Sequence, residues 1–246
     1  VADVVSVTGF ILSSMPVGDY DRRVVILSRE LGKIAAFAKG ARRPNSHLIG
    51  VTRPFIFGTF EVYRGRDSYT IQKANVTNYF EELVSDLDGV LYGYYFAELA
   101  EYYGRENLDA ADMINLLYVA FKALVNKSLP NELVRYIYEI RLIAVNGECP
   151  DFFSCAGCGS EKELQLYSYK ENGMYCVECA ASSGDGIVLQ SSTLYTLQYI
   201  ITAPLTKLFN FVVKADVLNE LKKVVNRIEF ITFDKHFKSK EMLDIG

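Results

Sequence analysis

Cys155-Ala-Gly-Cys158 and Cys176-Val-Glu-Cys179 form two C-x2-C pairs with 17 residues between them. No other feature constrains the local fold as strongly, because four thiolates at this spacing make a closed tetrahedral zinc site. Two intervening residues let a knuckle turn aim both sulfurs at one ion, and Gly157 and Gly159 permit the backbone angles of that turn. Residues 163–169 and 173–175 then read as the short hairpin of a zinc ribbon. A catalytic zinc keeps a position open and normally takes His or carboxylate ligands, whereas four thiolates close the tetrahedron. The two histidines, His47 and His236, stand far from the cluster in sequence. The expectation is therefore one structural Zn2+ per chain on Cys155, Cys158, Cys176 and Cys179. The fifth cysteine, Cys149, reads as a bystander thiol. Paired cysteines of this kind fit a reducing compartment better than a disulfide framework.

The ribbon interrupts a chain of two other textures. Residues 4–12, 22–28, 32–38, 55–64 and 69–76 are short β-rich runs, and five such runs separated by turn residues predict a small barrel. Pro16, Gly18 and Asp19 divide the first two runs, Arg29-Glu30-Leu31-Gly32 the next two, and Gly65-Arg66-Asp67-Ser68 the last two. The link 39–54 is longer and carries Arg42, Arg43, His47 and Arg53; a link of that length is either functional or contains a short helix.

After residue 80 the period shifts from 2 to 3.6. Tyr92, Tyr95, Phe96, Leu99, Tyr102 and Tyr103 share one helix face, read as a packing stripe. Asp109 is placed to cap a second helix with Met113, Leu116, Leu117, Ala120, Phe121 and Leu124 inward. Pro130 opens a third, through Leu133, Ile137, Ile140 and Ala144, and Asn146-Gly147 stops it. Further helices are expected near 191–202, ended by Pro204, and near 216–230. The predicted organisation is a barrel over 1–80, a helical domain over 81–148, the ribbon as an insertion over 149–183, and the rest of the helical domain over 184–246. This is an α+β multidomain fold.

The net charge of −4 at first argues against a nucleic-acid partner. By region the picture differs, because residues 1–80 carry 11 Lys and Arg against 6 Asp and Glu, leaving the remainder at −9. Arg22, Arg23, Arg29, Lys33, Lys39, Arg42 and Arg43 fall within residues 22–43, against the single acid Glu30. On a small barrel such cations, with Tyr20 and Phe37 for stacking, suit a groove that follows a phosphate backbone; the alternative is a solvated charged face. Phosphate-cradling loops and the hydrolase, dinucleotide and metalloprotease motifs are absent, so no enzymatic activity is expected. No run of 18 apolar residues predicts a membrane-spanning helix. With Asp3 near the start and no basic leader, the default expectation is a cytoplasmic location.

Gly18-Asp-Tyr-Asp-Arg-Arg-Val-Val-Ile-Leu-Ser, Gly32-Lys-Ile-Ala-Ala-Phe-Ala-Lys-Gly-Ala-Arg-Arg43 and Ser46-His-Leu-Ile-Gly-Val-Thr-Arg-Pro-Phe55 resemble the N-terminal domain of the bacterial recombination mediator family RecO. The similarity extends along the chain, with barrel, helical domain and four-cysteine ribbon in the same order. It implies an OB-fold barrel that binds single- and double-stranded DNA, with Arg22, Arg23, Lys33, Lys39, Arg42 and Arg43 at the matching basic positions. It also implies annealing of complementary strands and, together with RecR, loading of RecA onto DNA coated by single-strand-binding protein, in association with the nucleoid. The helical region would then recognise the acidic C-terminal tail of single-strand-binding protein, with Lys207, Lys214, Lys222, Lys223 and Arg227 as candidates or as a solvated helix face. Some family members lack the zinc cysteines. A ribbon-bearing protein scaffold without direct DNA binding is the competing expectation.

Overall fold

A computed structural model describes residues 4–66, 68–182 and 185–245. Asp3, Asp67 of the last strand link and Ser183 at the end of the ribbon segment lie outside the described residues. Strands β1 (Val4–Val17), β2 (Asp21–Ser28), β3 (Gly32–Ala38), β4 (Phe57–Arg64) and β5 (Tyr69–Asn78) close into a barrel in the order β1-β2-β3-β5-β4. Only the β3–β5 pair among these is parallel, with Ala36 opposite Tyr69. This is the connectivity of an OB-fold. Alternation sorts the side chains, and Val7, Val24, Ile26, Ile34, Phe60 and Ile71 fill the interior.

β1 runs five residues beyond the expected end because a bulge between Ile11 and Ser13 bends it. One long strand thereby pairs with β4 through its first half and with β2 through its second. Gly9 lies where both neighbours close in, opposite Ser28 and Gly58, and a Cβ there would overlap the carbonyl of Leu27. The link from 39 to 56 holds no helix; it is a succession of turns, consistent with Gly40, Pro44, Gly50 and Pro54 along it. It is fastened to the barrel by Arg42 N–H to the Tyr20 carbonyl (2.8 Å) and by reciprocal bonds of Ile11 with Phe55 and Ile56 (both 2.9 Å).

Helices α1 (Glu81–Ser85), α2 (Leu87–Tyr103) and α3 (Ala111–Asn126) follow, and the chain up to Lys127 packs with the barrel as one compact unit. The change of pattern at residue 80 is therefore not a boundary of packing. The reason is aromatic: Phe10 on the outside of β1 meets Phe80, Tyr118 and Phe121 at centroid distances of 5.9, 6.1 and 5.4 Å. The expected inward face of α3 is buried throughout. Asp109 accepts the Ala111 N–H (2.8 Å) at its start. On α2, Tyr95, Phe96 and Leu99 are buried, while Tyr92, Tyr102 and Tyr103 are half-buried.

Residues Ser128–His236 form the second compact unit. It contains α4 (Asn131–Val145), β6 (Leu164–Ser168), β7 (Gly173–Cys176), α5 (Val177–Ala180), β8 (Ile187–Val188), α6 (Ser191–Thr202), α7 (Leu205–Leu208) and α8 (Ala215–Thr232). Leu133, Ile137, Ile140, Leu197, Ile200, Leu221, Val224 and Ile228 are buried among α4, α6 and α8. Gly147, at φ 76°, ends α4 as expected. Arg135 of α4 lies 2.7 Å from Glu139 and 3.8 Å from Glu229 of α8. Glu139 is fully buried, and its carboxyl is raised from 4.5 to about 8, by burial first and then by Glu229, with Arg135 opposing both.

α9 (Lys238–Ile245) was not expected from the sequence, and it returns to the first unit. Phe237 packs edge-on against Tyr95 and Tyr102 of α2, and Ser239 donates from its N–H and Oγ to Glu98 (3.1 and 2.5 Å). The stretch expected to complete the helical domain, 184–246, is therefore shared between two units. Among the described residues, no helix is long and apolar enough to cross a membrane.

Candidate nucleic-acid interface and metal centre

Strand parity decides where each barrel cation points. Arg22 shares the inward parity of Val24 and Ile26, but it sits at the open end of the barrel, where its guanidinium donates to the Thr52 carbonyl (3.4 Å). Arg23 is on the outer face, in register with Met15 and Phe37. Lys33 is also outside, but its ammonium donates to the Glu101 carbonyl in the last turn of α2 (2.6 Å), a helix-end contact. Lys39, Arg42 and Arg43 are exposed where β3 runs into the long link. Arg42 donates to the Gly18 carbonyl (3.1 Å), and the Arg43 guanidinium lies over the Tyr20 ring at 5.1 Å. The six expected residues thus do not share one surface.

Arg22 and Arg42 instead meet a third arginine, Arg53, around a cleft of about 710 Å³. The second half of β1, the end of the long link, Tyr79, α1 and Tyr94 supply the other walls. Arg53 was passed over by a reading that grouped cations by nearness in sequence. The signal available was its place in the same long link as Arg42. Tyr79 and Tyr94 were not singled out either, since Tyr94 faces away from the packing stripe of α2.

The four cysteine sulfurs lie within 4.8 Å of one another. The turn at Cys155 brings one pair together: Gly159 N–H bonds the Cys155 carbonyl (2.8 Å), with Gly159 at φ 74°. The β6–β7 hairpin carries Cys176 to the same place, and Cys179 follows on α5. Cys158 and Cys176 sulfurs are 3.7 Å apart. A tetrahedral ion with sulfur at about 2.3 Å needs sulfurs about 3.8 Å apart. Burial opposes ionisation of Cys155, but backbone N–H groups of Cys176, Cys158 and Gly157 outweigh it and bring the thiol down to about 6. Hydrogen bonds from its three partners push Cys179 up to about 12. Four sulfurs this close together are a donor set that fits a thiophilic metal. Cys149 stands outside the cluster, and burial pushes its thiol up to about 12.

An OB-type barrel followed by helices and a four-cysteine ribbon is the architecture in hand, and both halves match one family. Residues 3–80 match the family described as Recombination protein O N terminal, and residues 84–241 match Recombination protein O C terminal. Among similar proteins, the DNA repair protein RecO of Acetivibrio thermocellus is 30% identical over 241 residues, covering 96% of this chain and 94% of that one. The DNA repair protein RecO of Bacillus subtilis is 27% identical over 236 residues, covering 96% and 92%. The chain belongs to the RecO family of DNA repair proteins.

Proposed function

We propose that the protein is a recombination mediator that binds single- and double-stranded DNA, anneals complementary strands and, with RecR, helps load RecA onto DNA coated by single-strand-binding protein. The observation that carries this reading is the cationic end of the barrel, where Arg22, Arg42 and Arg53 gather beside exposed tyrosines. Neutralising phosphates on two strands lowers their repulsion, and exchanging proteins on a strand needs competing, salt-sensitive contacts rather than a catalytic base. Zinc is the metal we assign to the four cysteines, in a structural role. Arg23, Lys39 and Arg43 would extend the phosphate contacts along the outside of the barrel, and Lys33 would act mainly through α2.

For the acidic tail of single-strand-binding protein, the groove lined by Tyr195, Tyr199, Phe211, Val212 and Lys214 in the second unit is the best-suited surface, at about 520 Å³. Val212 is 71% exposed there, and Lys214 offers a positive charge, with Asp216 the one acid on the lining. Lys222 is engaged with Glu132 (3.6 Å) and Arg227 with the Tyr169 carbonyl (2.9 Å), which makes them poorer candidates. The deciding experiment is annealing of complementary strands with and without single-strand-binding protein. Faster annealing that persists on coated strands is expected. Absence of both DNA binding and annealing at low salt would leave the ribbon-scaffold reading.

A further inference from the structure

The cleft at the open end of the barrel has a construction that phosphate tracking alone does not require. Its charge comes from Arg22, Arg42 and Arg53, with Glu81 the one acid on its lining. Its other walls carry three serines, Ser13, Ser14 and Ser85, and apolar or aromatic side chains, of which Met15, Tyr79 and Tyr94 are 56%, 45% and 44% exposed. Tyr94 is held in place by the buried ring of Phe55, 4.8 Å away. Phe55 itself sits at φ 72°, a left-handed conformation that a bulky side chain adopts only when its surroundings impose it. Here they do, since its N–H is bound to Ile11 beside the bulge of β1 and its ring is wedged against Phe121.

Planar guanidinium groups match phosphate oxygens, and tyrosine faces accept any base. The volume of about 710 Å³ falls within the range of small-ligand sites, ~300–1,000 Å³. A duplex keeps its bases stacked inside and can present only its backbone to the rim. From this we infer that the cleft takes an unpaired nucleotide of a single strand, with phosphate on the arginines and base against Tyr79 and Tyr94. It would be the element that distinguishes single from double strands. The inference rests on the DNA-binding reading above and assigns the outer cations Arg23, Lys39 and Arg43 to contacts shared by both forms.

The test is binding of the full chain to an oligothymidylate, to a blunt duplex of equal length and to an equally long strand of abasic spacers. Tyr79 is 45% exposed, so Tyr79→Ala should fold, as an unchanged melting temperature would confirm. This variant should lose about tenfold or more in affinity for oligothymidylate while its duplex affinity stays within about twofold. Wild-type protein should prefer oligothymidylate to the abasic strand, and the variant should not. Independently of any variant, a strand carrying 5-iododeoxyuridine should crosslink to Tyr79 or Tyr94 on irradiation. Equal loss on both DNA forms, no loss on either, or crosslinks confined to the outer face would overturn the inference and leave DNA binding intact. Wild-type protein that binds none of the three would remove the DNA reading, and the cleft assignment with it.

Discussion

Arg22 and Arg23 are adjacent in the chain and point to opposite sides of the sheet, so single positions in this barrel carry separable duties. Arg42 and Arg43 divide in the same way, one toward the cleft and one over Tyr20. Replacing both, Arg42→Glu/Arg43→Glu, should weaken binding to single strands. It should also flatten the plot of log affinity against log salt by about 1.4 if two phosphate contacts are lost. A titration series over salt checks this, and an unchanged slope would remove both residues from the interface. Glu139 carries a different consequence. Its native carboxyl holds a proton to about 8, whereas the unfolded chain releases it near 4.5, so between those values the native state binds more protons. Its contribution to stability is fully present below about 4.5 and falls as pH rises towards 8. The groups facing it are Arg135 on its own helix and Glu229 across on α8. Glu139→Gln should flatten the decline, so that melting temperatures of variant and wild type diverge in the variant's favour as pH is raised from 5 to about 8.

The ribbon is an element that gathers four cysteine sulfurs within 4.8 Å of one another, and the proposed zinc would be its core. Elemental analysis should find about one zinc per chain, and Cys158→Ser, which removes the exposed ligand, should release it. Amide exchange should then speed up across β6 and β7 while the barrel strands keep their protection. Barrel closure makes a second demand. Gly9→Ala must part β1 from β2 or bend one of them, and a loss of about 1–3 kcal/mol by urea unfolding is expected. These elements differ in how openly they are written. The spacing is local, so the clustering of the four cysteines was legible down to each residue. The five barrel strands were legible because alternation and turn residues agree, although β1 outran its expected end where the bulge breaks the alternation. Residues 39–56 were not legible, since Leu48 and Ile56 enter the core from turns with no period. Helix α9 escaped notice because it is only eight residues long and its main apolar anchor, Phe237, precedes it. The cleft escaped because its walls come from residues between 12 and 94, which only the folded chain brings together.

At the scale of the whole molecule, positive charge is concentrated in residues 1–80, and the helices that share their unit bring that unit back close to neutral. A salt-sensitive DNA contact should therefore belong to the barrel even though the protein is net acidic. The first unit also depends on the far end of the sequence. A chain lacking residues 238–246 loses the bonds from Ser239 to Glu98 and the cover over Phe237, and it should melt in two steps, with the first unit lowered and the second unchanged. Calorimetry with barrel and ribbon followed separately would check the order. The return of α9 has a further bearing on how the protein is made. A ribosome releases the barrel before the second unit, and the helix that completes the barrel's own unit emerges only after that second unit. The second unit can therefore finish folding while the first still waits for α9. A premature stop anywhere between residues 128 and 237, however far from the barrel, leaves the first unit without α9.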